Sequence, residues 1–133
     1  MPTHERRTVI AAAIADVALI ALFAAAGRRS HAEGVTAAGV ADTAWPFVAG
    51  AAIGWILSRG WRRPTAVTPT GLVVWIAAVS LGMLLRRITG AGTAWSFVLV
   101  ATIVTGVLLL GWRAVASRRP RRSARGSPPA AGG

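Results

Sequence analysis

The sequence predicts an all-α protein, an integral membrane four-helix bundle made of two parallel helical hairpins. Three observations carry that expectation. The 133 residues are 54% hydrophobic with a mean hydropathy of +0.57, four stretches approach membrane length, and all fifteen basic residues are Arg, placed mainly beside those stretches. Such a chain is too short for two ordinary domains and too apolar for a soluble one. A net charge of +11 would elsewhere point to nucleic acid. Here the Arg residues flank apolar runs, the pattern that membrane insertion leaves, so no nucleic-acid partner is expected. With no cysteine, disulfides, thiolate metal sites and Cys nucleophiles are excluded.

A hydrocarbon core of about 30 Å takes about 20 apolar helical residues to cross. Span one reads as roughly Thr8 to Ala26, span two Thr43 to Ser58, span three Thr68 to Leu85 and span four Thr93 to Val115. Spans two and three are short, so they must sit with little tilt or extend into their loops. Thr68 is placed to cap a helix whose first position is Pro69, and Pro46 is expected in the first turn of span two. Asp16 in mid-span argues against reading span one as a cleaved signal peptide. Residues 1–116 therefore form the membrane domain. Residues 117–133, rich in Arg, Pro, Ser and Gly, are expected to be a disordered basic cytoplasmic tail attracted to anionic lipid.

Orientation follows from counting Arg at alternate ends. Eleven lie on one side: Arg6, Arg7, Arg59, Arg62, Arg63, Arg113, Arg118, Arg119, Arg121, Arg122 and Arg125. Four lie on the other: Arg28, Arg29, Arg86 and Arg87. The positive-inside bias places both termini in the cytoplasm. Trp45 and Trp95 then mark the outer interface, and Trp61 and Trp112 the inner one.

The chain also echoes itself. "TAWPFV" from Thr43 returns as "TAWSFV" from Thr93, "GWRR" from Gly60 returns as "GWRA" from Gly111, and an Arg pair precedes each echo. This predicts an internal repeat of two hairpins related by an axis along the membrane normal. Gly50 and Gly54, four residues apart, offer a smooth face to another helix or to a second copy in a homodimer.

Few residues are candidates for chemistry. Asp16 is the one ionisable side chain well inside a span, and it must face protein or water. Arg28, twelve residues on, is roughly 18 Å away along the helix. The hydroxyls of Ser80, Thr102 and Thr105 lie at a depth where they are candidate partners in a bundle. The site reads either as a protonatable intramembrane group or as interhelical glue. Aligning the Arg pairs sets Val74 opposite Asp16, so the second hairpin does not copy it. At the outer end, Arg28, Arg29, His31, Arg86 and Arg87 form a candidate anion or lipid-headgroup site, or else a set of interfacial anchors. His31 and Glu33 alone do not make a metal site, and no metal or other cofactor is expected. Nucleotide-binding loops and paired catalytic carboxylates are missing from the sequence, and no enzymatic activity is expected.

The run "GRRSHAEG", followed by "TAWPFVAG", "GMLLRRITGAGTAWSFV" and "LLGWR", resembles a family of small four-helix bacterial membrane proteins classed as a domain of unknown function. The resemblance covers roughly Ala15 to Arg113, and Asp16, Arg28, His31, Pro46, Phe47, Arg86 and Arg113 fall on its landmarks. It implies the class, a small bacterial membrane protein, while the expected inner membrane location, with the lipid bilayer and its anionic lipids as partners, rests on the spans and the Arg residues beside them. It brings no activity with it. The leading expectation is proton-linked transport or binding of a small solute through Asp16. The competing one is a non-enzymatic scaffold or accessory subunit that contacts lipids and partner proteins.

Overall fold

The computed structural model describes residues 2–30 and 34–118, and these contain helices and no strand. Helix α1 spans Thr3–Ser30, α2 Ala37–Ser58, α3 Leu72–Ile88 and α4 Trp95–Arg118. Counting the turn Val67–Gly71 that leads into α3, all four are long and apolar enough to cross a membrane. The expected tail falls mostly on residues 119–133, outside the described residues.

Helix α2 begins earlier than the apolar run does. Thr36 has extended backbone and its hydroxyl accepts the Gly39 N–H at 3.0 Å, which caps the helix six residues ahead of the expected start. Pro46 consequently lies inside α2 rather than in its first turn. There it cannot supply the N–H that the Asp42 carbonyl would normally accept. At the other end Arg59 adopts a left-handed conformation with φ of 51°, and the Gly60 N–H closes the helix on the Trp55 carbonyl at 2.9 Å. Before α3 the chain makes a wide turn in which Thr68 is extended (φ −124°, ψ 135°) and the Gly71 N–H reaches the Ala66 carbonyl at 3.0 Å.

The helices follow one another around the bundle, each antiparallel to the next. The most extensive contact is between α2 and α3, and among neighbouring pairs α1 and α4 share the least. The α2–α3 closeness has a direct cause. A Cβ on Gly50 would stand 2.6 Å from the Ala77 carbonyl oxygen and 2.9 Å from Ala78 Cα, and one on Gly54 would stand 2.7 Å from Val74 Cα. The smooth face of Gly50 and Gly54 therefore lies against α3 of the same chain. On the α3–α4 side the Trp75 ring packs over Gly106, and its N–H donates to the Thr102 carbonyl at 3.0 Å.

Small residues fill most of the interior: Ala12, Ala24, Ala51, Ala78 and Ala101 are all buried. The half nearer the α1–α2 and α3–α4 loops is centred instead on Phe23, Phe47 and Phe97. Phe23 and Phe47 meet edge to face with centroids 5.6 Å apart, and Phe97 lies 6.2 Å from each. Ile10, Leu57, Ile88 and Val107 are exposed on the outside. An apolar exterior around satisfied helical backbone is what a bilayer accepts.

Candidate functional site

Side chains on a helix lean toward its N-terminus. Asp16 on α1 and Arg113 near the end of the antiparallel α4 therefore lean toward each other, and the two meet in the interior. Arg113 donates from both terminal nitrogens, Nη1 to Asp16 Oδ1 at 2.8 Å and Nη2 to Oδ2 at 2.6 Å. Two indoles complete the shell: Trp112 Nε1–H donates to Oδ1 at 2.9 Å and Trp55 Nε1–H to Oδ2 at 2.8 Å. The carboxylate thus accepts four N–H bonds. Both side chains are sealed, with Arg113 0% and Asp16 2% exposed.

Two further guanidinium N–H groups bond to backbone carbonyls. Arg113 Nε–H donates to the Pro64 carbonyl at 3.0 Å, and Nη1 also to the Leu109 carbonyl at 3.1 Å. Its carbon lies 4.7 Å from the Trp112 ring centroid. One arginine therefore joins α1, α4 and the α2–α3 loop. The Thr70 hydroxyl steadies that loop by donating to the Arg63 carbonyl at 2.7 Å. Among the described residues no buried side-chain nitrogen or oxygen lacks a partner.

This corrects the partner set expected from sequence. Ser80 is exposed on α3. Thr102 donates its hydroxyl to the Val98 carbonyl at 2.7 Å, and Thr105 donates to the Ala101 carbonyl. A threonine hydroxyl in a helix finds a carbonyl one turn back in its own backbone, whereas Arg113 has a long arm and several donors. In the sequence Arg113 counts among the eleven Arg residues at one set of helix ends, and Trp112 among the interfacial Trp residues.

Trp55→Phe removes one donor from Asp16 while keeping an aromatic ring in place. Hydrogen bonds to charged groups contribute about 1.5–3 kcal/mol, so a loss of stability near that range is expected. An unfolding titration with sodium dodecyl sulfate in mixed micelles measures it; an unchanged midpoint would show that Arg113 and Trp112 satisfy the acid without Trp55.

At the opposite end of the bundle Arg28 and Arg86 line one cavity, while Arg29 and Arg87 are exposed. His31 lies outside the described residues. Arg28 Nε–H donates to the Gly34 carbonyl at 3.0 Å and Arg86 Nε–H to the Gly92 carbonyl at 3.2 Å. Each bond reaches six residues ahead to a glycine with positive φ, 78° at Gly34 and 88° at Gly92. Glycine tolerates that conformation at no steric cost. Arg28 also lies against Gly39, where a Cβ would stand 2.5 Å from its guanidinium carbon, and Arg86 lies 4.3 Å above the Phe97 ring. Both arginines line a cavity of about 430 Å³ whose other walls include Phe23, Gly27, Thr43, Ser96, Phe97 and Val100.

Four apolar helices of membrane length, closed around a buried ion pair, define a multipass membrane protein. The chain belongs to the family described as "Protein of unknown function (DUF3054)", whose model matches residues 13–116. That range takes in Asp16 and Arg113 at one end of the bundle and Arg28 and Arg86 at the other. Neither a curated protein nor a solved structure matches the chain significantly.

Proposed function

We propose that this four-span protein binds a small anionic molecule at its outer end, with both termini on the cytoplasmic side. The observation that carries the reading is the convergence of Arg28 and Arg86 on one cavity from different helices. Guanidinium groups suit carboxylate and phosphate, and an interfacial cavity strengthens such pairing by limiting water. The excess of Arg at the opposite ends of the helices supports the orientation. The matched loops, in which Arg28 reaches Gly34 and Arg86 reaches Gly92, support a duplicated hairpin as the scaffold.

Asp16 takes the role of a fixed lock in this reading rather than of a proton carrier. Its four N–H donors and buried Arg partner favour holding the inner end closed. If the bound anion is transported, the inner lock has to open.

The test is binding to the full-length protein in nanodiscs, using inorganic phosphate, octanoate and phosphatidylglycerol beside neutral or zwitterionic counterparts. Charge-dependent binding to at least one anionic probe, weakened about tenfold or more in Arg28→Gln/Arg86→Gln, is expected from lost charge-assisted bonds. Binding indifferent to ligand charge and to both substitutions sinks the reading and leaves a scaffold or accessory role. Flux through proteoliposomes, with Asp16→Asn beside the parent chain, separates carriage from binding alone.

A further inference from the structure

The outer cavity is not a closed well. It lies at the seam between α1 and α4, the neighbouring helices that share the least contact. At the inner end that seam is bolted by Asp16 and Arg113. At the outer end it stands open, and its wall runs from Phe23, 4% exposed, to Val100, 51% exposed. The cavity therefore reaches the surface on a face where Leu99 and Ile103 of α4 are also exposed, the side that a bilayer would cover.

Its polarity is graded with depth. Arg28 and Arg86 stand at the outer rim, beside the loops that their Nε–H groups hold. Phe23 lies five residues below Arg28 on α1, and Val100 five residues below Trp95 on α4, about 7 Å toward mid-membrane at 1.5 Å per residue. Charge at the headgroup level and apolar walls beneath it match an amphiphile standing in the outer leaflet. A hydrated inorganic anion would use only the rim.

Resting on the anion-binding reading above, we propose that the ligand is an anionic lipid of the outer leaflet. Its head is held at Arg28 and Arg86 and its acyl chain lies in the cleft between α1 and α4, reached sideways from the bilayer. Lipid tails gain little by leaving other tails for an apolar groove. Selectivity therefore comes from the head, while the cleft determines where the chain rests.

Gly27 supplies the decisive variant. It lines the cavity, and a Cβ placed on it meets nothing within 4 Å. Gly27→Phe fills the cleft from an open position while leaving Arg28 and Arg86 in the sequence. The experiment is photocrosslinking in phosphatidylcholine nanodiscs doped with phosphatidylglycerol that carries a diazirine in mid-chain. Adducts are expected to concentrate on Phe23, Phe97 and Val100, to fall about tenfold in Arg28→Gln/Arg86→Gln, and to vanish from these residues in Gly27→Phe.

Equal labelling of the same residues by a phosphatidylcholine probe overturns the proposal, as does labelling spread evenly over the exposed helix faces. Displacement of the lipid by inorganic phosphate in proportion to its charge also overturns it, and assigns the rim to a free anion. That last result leaves the anion-binding reading standing. Loss of charge-dependent binding by every probe removes both.

Discussion

Arg113→Met is expected to destabilise the bundle by about 3–5 kcal/mol, because it leaves a buried carboxylate without its counter-ion. Asp16 would keep the two indole donors, which supply hydrogen bonds but no charge. The Pro64 carbonyl would lose the Arg113 Nε–H as well, so the α2–α3 loop loosens together with the α1–α4 seam. The double substitution Asp16→Leu/Arg113→Met removes both charges and should recover much of the loss, since a buried ion pair contributes little over a well-packed apolar pair. Unfolding by sodium dodecyl sulfate in mixed micelles, on both single variants and the double, measures the coupling. Additive losses in the double variant would show that the two side chains do not act as a unit.

Gly50→Leu has the second large effect, through geometry and not charge. Even the first carbon of a side chain would stand 2.6 Å from the Ala77 carbonyl oxygen and 2.9 Å from Ala78 Cα, which are backbone atoms that cannot swing aside. Overpacking commonly costs about 1–3 kcal/mol, and a wedge between two backbones belongs at or above the upper end. Gly27→Ala is the matched control, since nothing lies within 4 Å of its added carbon. There the gain in helix propensity should leave stability unchanged or raise it by up to about 1 kcal/mol. Loss of a disulfide engineered between α2 and α3 in Gly50→Leu, but not in Gly27→Ala, would locate the damage at that helix pair.

The number of helices was legible because each span is a long apolar run bounded by Arg or by loop residues, a one-dimensional signal. Their ends were less so. The start of α2 is fixed by the cap at Thr36, ahead of the run's apolar centre, and so Pro46 moved from the first turn to the interior. Asp16 stood out for its rarity, and Arg28 and Arg86 for their matched positions. Arg113 falls on a landmark of the family resemblance, but its position alone does not single it out, since it shares its set of helix ends with many other arginines. What distinguishes it is rotation about α4, which turns this one arginine inward, to 0% exposed, and leaves Arg118 exposed. A signal was nonetheless there: side chains lean toward helix N-termini, so an acid in the N-terminal half of α1 and an arginine about one turn before the end of an antiparallel α4 approach each other. The indoles are harder to place, because a Trp near a helix end suits an interfacial belt as well as it suits a buried N–H donor.

The Asp16–Arg113 pair spans 97 residues of sequence. A ribosome adding about 5–20 residues per second takes roughly 5–20 s to cover that distance. For that interval α1 has left the ribosome with its carboxyl lacking the partner that the finished protein supplies. The bundle is therefore complete only when its last helix arrives, and a product truncated after α3 would leave Asp16 among apolar helices with no arginine to meet it.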